Sequence, residues 1–169
     1  MTGNRASAPS TSADQASSDG DRVDKHSPWA SLDDVADLGG RPAITPENRP
    51  FWDAAEVGML LVERCVACGL HLFPPRGVCR RCLSRQTTWE VVDPPAVLHA
   101  YTVNYQPWAP GLSPYLIGLA ELPDHDGVRL IGMMQGFAAE PENGERLAFG
   151  FHRSTAGIYR LYFSPWGRS

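Results

Sequence analysis

Two cysteines three positions apart on one tight turn can aim both thiolates at a single ion, and a second such turn completes a tetrahedron. The chain holds four cysteines, as Cys65-x-x-Cys68 and Cys79-x-x-Cys82, with ten residues between the pairs that include Phe73-Pro74-Pro75. Zinc suits four sulfurs best; iron in the same cage and an emptied or redox-active site are the alternatives. Four sulfurs close the coordination sphere and leave no position for water or substrate, so the ion is expected to be structural. Gly69 and Gly77 flank the pairs and can supply the left-handed backbone angles that such knuckles require. His71 lies between the pairs, but with four sulfurs in place it reads as a surface residue of the loop.

Other residues offer weaker chemistry. Arg76, Arg80, Arg81 and Arg85 form a local basic cluster with no acid among them, suited to a solvated face, a partner contact or the phosphates of a nucleotide-like ligand. His99 falls inside a strand pattern and reads as a packed or hydrogen-bonded imidazole. His125 falls in the polar turn Pro123 to Gly127 and reads as solvated, and Met133-Met134 reads as core filling. No Gly-x-Ser-x-Gly elbow and no glycine-rich phosphate loop occurs.

The elements that must position these groups are mostly strands. Residues 1–27, rich in Ser, Ala, Asp and Thr and without aromatics, read as a disordered tail rather than a secretory leader. Residues 28–48 read as a linker, or as a segment that orders on a partner, with Trp29, Leu32, Val35 and Leu38 at helical spacing. Residues 49–64 should give a short helix, capped by Thr45 ahead of Pro46-Glu47 and ending near Gly58, then a strand over 59–63 that runs into a zinc ribbon at 65–87. From Thr88 the period becomes two, with candidate strands at 88–92, 97–105, 115–122, 128–135, 146–152 and 158–163. The fold class is therefore mainly β: a short helix, a zinc ribbon and a five-stranded OB-type barrel over 88–169. In the strand from Val97 both faces carry apolar groups, as expected for a strand covered on both sides.

Composition narrows the function. The chain has 169 residues, 43% of them hydrophobic, and a formal charge of −4 that residues 1–48 supply entirely, with eight acids against four bases. The remainder is neutral, which counts against a body built to grip phosphate backbones. Apolar stretches of about six residues fall far short of the roughly twenty that a membrane crossing needs. A cytoplasmic location is expected.

In order and spacing, Arg49-Pro50-Phe51-Trp52, Cys-x-x-Cys-Gly, Phe73-Pro74-Pro75-Arg76, the second Cys-x-x-Cys, Trp89 and Tyr101-Thr102-Val103 resemble the acyl-CoA-associated family that joins a rubredoxin-like zinc ribbon to an OB-fold. The resemblance spans about Arg49 to Phe163. It implies a non-catalytic accessory subunit of a thiolase-fold enzyme, a thiolase, retro-aldolase or acyltransferase, in a hetero-oligomer whose reacting groups belong to the larger partner. It also implies that the ribbon and the loop from Asn104 to Pro114 pack near an acyl-CoA entrance. The residues placed there are Phe73, Pro75, Arg76, Arg80, Arg81, Tyr105, Trp108 and Tyr115. Asp93-Pro94-Pro95 departs from the glycines that many relatives carry before the first barrel strand. A single-stranded nucleic-acid binder and a free-standing acyl-CoA binder are the competing functions.

Zinc-finger peptides bind their ion with roughly 10 to 16 kcal/mol, more than a ribbon of about 25 residues gains from its own core. Replacing Cys68 with Ser is expected to abolish zinc retention and unfold residues 65–82. Metal analysis together with a thermal melt checks this, and wild-type zinc content with an unchanged melting temperature would contradict it.

Overall fold

The computed structural model describes residues 29–35, 40–106 and 114–167. The expected tail therefore lies outside the described residues, as does Trp108. Leu32–Val35 forms one helical turn, α1, and Arg49–Glu56 forms α2. A small sheet is built from β1 (Leu60–Cys65), β2 (His71–Leu72) and β3 (Thr87–Val92), in the order β2-β1-β3. The strands β4 (Ala96–Asn104), β5 (Tyr115–Glu121), β6 (Arg129–Met134), β7 (Arg146–Arg153) and β8 (Tyr159–Pro165) close a barrel in the order β4-β5-β6-β8-β7. Four of the barrel pairings are antiparallel, and the fifth, β6 with β8, is parallel through Met133–Tyr162 and Met134–Phe163. This five-strand barrel is the one expected. Among the described residues no helix is long and apolar enough to cross a membrane.

Two boundaries differ from the sequence reading. Residues 88–92, assigned there to the barrel, instead belong with Thr87 to β3, which pairs with β1 along its whole length, from Leu60–Val92 to Cys65–Thr87. Pro94 and Pro95 lack the N–H groups a ladder needs, so pairing stops at Val92 and the barrel begins at Ala96. Helix α2 starts at Arg49, with Pro50 in its first turn and Asn48 as its N-cap. Thr45 belongs to the preceding turn, where its carbonyl accepts from Asn48 N and Arg49 N. Asn48 braces that turn, accepting from Thr45 N at 2.8 Å and donating to the Ala43 carbonyl at 2.9 Å.

The segment read as a linker packs on the barrel of its own chain. Leu32 and Val35 are buried, Ala30 N donates to the Pro114 carbonyl at 2.8 Å, and Arg41 reaches the Ala156 carbonyl at 2.6 Å. One apolar core then runs through both sheets. Phe51 from α2 and Leu60, Val62 and Val92 from the ribbon sheet join Leu98, Leu116, Leu130, Leu147 and Phe163 of the barrel. Continuous burial of this kind, worth about 25 cal/mol per Å² of apolar surface, fixes the ribbon against the barrel.

A bulge explains why β4 looked apolar on both faces. Leu98 pairs with Ala120 and Ala100 with Leu119, which leaves His99 as the extra residue. The alternation changes phase there: Leu98 is buried, and beyond the bulge Tyr101 and Val103 pack against the core. His99 points outward, 3.8 Å from the Glu121 carboxylate.

Each zinc knuckle makes the same two backbone bonds. Gly69 N donates to the Cys65 carbonyl and Cys65 N to Leu70, while Leu83 N donates to Cys79 and Cys79 N to Ser84. The residue after the second cysteine of each knuckle is left-handed, Gly69 at φ 76° and Leu83 at φ 61°. Glycine adopts that conformation freely, whereas leucine does so at a cost of about 1–2 kcal/mol. Leu83 is 77% exposed, so little burial offsets the strain. Replacing Leu83 with Gly should stabilise the chain by about 0.5–1 kcal/mol after the added chain entropy of glycine. Denaturant unfolding reads the change, and a less stable variant would contradict it. The barrel centre gives the opposite case. A Cβ on Gly132 would lie 2.8 Å from Phe163 and 2.9 Å from the Leu161 carbonyl, a backbone atom that cannot swing aside. Gly132→Ala should cost about 1–3 kcal/mol, seen as a lower melting temperature; an unchanged melt would show that the barrel has room there.

Candidate metal centre and its surroundings

The four sulfurs that the sequence pairs up converge. All lie within 4.8 Å of one another, with Cys65 Sγ to Cys82 Sγ and Cys68 Sγ to Cys79 Sγ both at 3.6 Å. A tetrahedron of sulfurs bound to zinc at 2.3 Å has edges of about 3.8 Å, so the cage fits the ion. Two of the sulfurs come from opposite ends of the ribbon: Cys65 ends β1, and Cys82 opens the loop that leads to β3.

The backbone favours a thiolate at one corner. N–H groups of Cys82 and then Arg81 point at Cys79, and with the neighbouring thiols they lower it to about 6, against an opposing effect of burial. At Cys82 the Ser84 N–H lowers the pKa, but the Cys65 sulfur, burial and the other two sulfurs together raise it to about 12. Protons alone therefore cannot leave four negative sulfurs side by side. A divalent cation supplies the compensating charge, and its uptake releases protons.

Glu63 is a site residue that the sequence reading missed. It sits on β1 with 1% exposure, and its carboxylate accepts from Arg76 N at 2.8 Å and Gly77 N at 3.1 Å. A buried carboxylate with two N–H donors fixes the loop after Phe73-Pro74-Pro75. The available signal was the position of Glu63, two residues before Cys65, in a strand otherwise rich in leucine and valine. Gly77 is left-handed as expected, and Glu47 covers it, its Cγ 3.1 Å from where a Cβ would stand.

The expected contact residues separate into two groups. Phe73 and Tyr115 line a cavity of about 710 Å³, together with Phe51 and Trp52 of α2, Met133, Phe151 and Leu161. The cavity lies beside the short β6–β8 pairing, and among the described residues Arg160 brings the one charged side chain in its lining. Met134 is core, while Met133 faces this cavity. Tyr115 is also held by Asn104, whose Nδ2 donates to its hydroxyl. Arg76, Arg80 and Arg81 are exposed on the ribbon, Pro75 is half-buried beside them, and Tyr105 is 68% exposed at the end of β4.

His71 is not a surface residue. It is buried, its Nε2 lies 2.8 Å from Glu90 Oε2, and its Nδ1 lies 3.1 Å from Asp126 Oδ2. His125, read as solvated, is half-buried with its ring centroid 4.8 Å from that of His71. Burial and then the neighbouring His71 push the His125 pKa down. The His71 hydrogen bonds hold Asp126 below the usual carboxylate range. Asp126 reaches His71 because Asp126 and Gly127 are both left-handed, at φ 50° and 69°, the conformation of an Asp-Gly type I′ hairpin turn.

Comparison with known proteins agrees with this geometry. Residues 52–88 match the family model of the ChsH2 rubredoxin-like zinc ribbon domain. A probable enoyl-CoA hydratase alpha subunit of Thermomonospora curvata is 32% identical over 106 residues, covering 61% of this chain and 32% of that protein. The chain thus spans about a third of the length of that curated relative. Among solved structures, the Ltp2–ChsH2(DUF35) aldolase superposes with a TM-score of 0.66 at 28% identity, over 74% of this chain and 98% of that one. A DUF35-family protein of unknown function from Sulfolobus solfataricus shares the fold, with a TM-score of 0.55 at 18% identity over 72% of this chain and 85% of that one. Residues 52–88 are therefore a ChsH2-type zinc ribbon with a four-cysteine structural zinc site, and the fold that joins this ribbon to a closed five-stranded barrel is similar to that of the ChsH2(DUF35) chain.

Proposed function

We propose that this chain is a non-catalytic accessory subunit of an enzyme that acts on acyl-CoA. Its partner is a thiolase-fold subunit that holds the reacting groups, and the two form a cytoplasmic hetero-oligomer. The observation that carries this reading is the saturated sulfur cage within a fold that matches nearly the whole ChsH2(DUF35) chain of an aldolase complex. The hydratase-subunit relative supports acyl-CoA chemistry.

Surface features support a partner contact on the ribbon. The knuckle tips expose Val66 and Leu83, and the latter keeps a strained backbone without the reward of burial in the isolated chain. Arg80 and Arg81 stand exposed within the second knuckle, where guanidinium groups suit the phosphates of coenzyme A. The apolar cavity behind Phe73 and Tyr115 has a volume within the range of ligand sites and suits an acyl chain.

Co-expression with candidate thiolase-fold enzymes from the same genome tests the proposal. The two proteins are expected to elute as one complex, with acyl-CoA turnover falling at least about tenfold when this chain is omitted, a loss of about 1.4 kcal/mol or more. Arg80→Ala with Arg81→Ala should raise KM for acyl-CoA and leave kcat unchanged, as loss of ground-state binding does. Separate elution, with turnover indifferent to this chain, would refute the proposal.

A further inference from the structure

A second cluster of ligating side chains lies where the ribbon meets the barrel, apart from the four cysteines. His71 on β2, Glu90 on β3 and His125 in the β5–β6 turn each offer one ligand atom, and these atoms lie within 4.8 Å of one another. Three elements distant in sequence thus converge on one point. We propose that His71, Glu90 and His125 form a second metal site, for a divalent first-row ion of the zinc class, which ties the barrel hairpin to the ribbon.

The chemistry of the donor set fits such an ion. Two imidazole nitrogens and one carboxylate are a common set for zinc and its neighbours, and unlike the sulfur cage they leave a fourth position open to water. The surrounding hydrogen bonds match those that orient metal ligands. Asp126 holds His71 through Nδ1, which leaves Nε2 turned towards Glu90, the carboxylate–histidine–metal arrangement. Asp126 also accepts from His71 N at 3.3 Å, which fixes the backbone beneath the ring. Arg64 Nε lies 3.4 Å from Glu90 Oε1 and so steadies the oxygen that does not face His71. Binding would exchange the proton shared by His71 Nε2 and Glu90 Oε2 for the ion, with that 2.8 Å pair opening slightly and the wider separations within the cluster closing.

The test uses the full zinc-loaded chain, washed with a weak chelator that spares the sulfur site, then titrated with Co²⁺ in the visible region. One saturable equivalent is expected, with ligand-field bands and no thiolate-to-cobalt charge transfer, since its donors are nitrogen and oxygen. His125→Ala and Glu90→Gln should each abolish that equivalent while retaining the ribbon zinc, whose presence reports that the ribbon is still folded. Asp126→Asn, which tolerates the left-handed backbone, should weaken binding about 10- to 100-fold. His99→Ala, at the β4 bulge and paired with Glu121 instead, should change nothing. Absence of saturable cobalt binding in the wild type, or equal binding by the wild type and both ligand variants, would overturn the site.

Discussion

Mutual repulsion among four sulfur anions, relieved by one cation, is the constraint on which the ribbon depends. The sulfurs stand 3.6 Å apart in cross-knuckle pairs, and they join the end of β1 to the loop that leads into β3. The ribbon has only a small core of its own around Cys65, Leu70, Leu72 and Cys79. The ion therefore substitutes for a core that so short a segment cannot build. Because its coordination is saturated, it contributes shape and no reactivity.

Two kinds of contact pass that shape to the barrel, and a third braces the ribbon itself. Leu60, Val62 and Val92 enter the main core, Glu63 fixes the proline loop from within, and His71 meets the Asp126 turn of the β5–β6 hairpin. The apolar contacts supply most of the burial, while the two polar ones fix orientation. A carboxylate buried with its donors and an imidazole held between two acids tolerate little displacement, since a lost partner leaves a desolvated polar group behind. The ribbon and barrel are thus fixed to one another, with arginines exposed on the ribbon and an apolar cavity lined by residues of α2, the ribbon and the barrel.

The cysteine spacing, the barrel and most strand positions were legible in the sequence because each leaves a local trace: a two-residue gap, a period of two, or a bounding proline. What was not legible depends on distant partners. His71 looked superfluous beside four sulfurs, and nothing near it in sequence announces Glu90 or Asp126, the latter 55 residues away. Glu63 alternates like any strand residue until the proline loop folds over it. The phase change at His99 was hidden because a bulge is defined by the opposing strand. Residues 88–92 have a good strand pattern, and only their choice of neighbour was misassigned.

Hydrogen exchange on the purified full chain, before and after a strong chelator removes its metal, is the most direct measure of whether the ion acts as the scaffold. With zinc bound, the amides of β1, β2 and β3 should be protected; after removal that protection should collapse while β4 to β8 retain theirs. Undiminished protection across residues 60–92 in a chain shown to be free of metal would contradict the account.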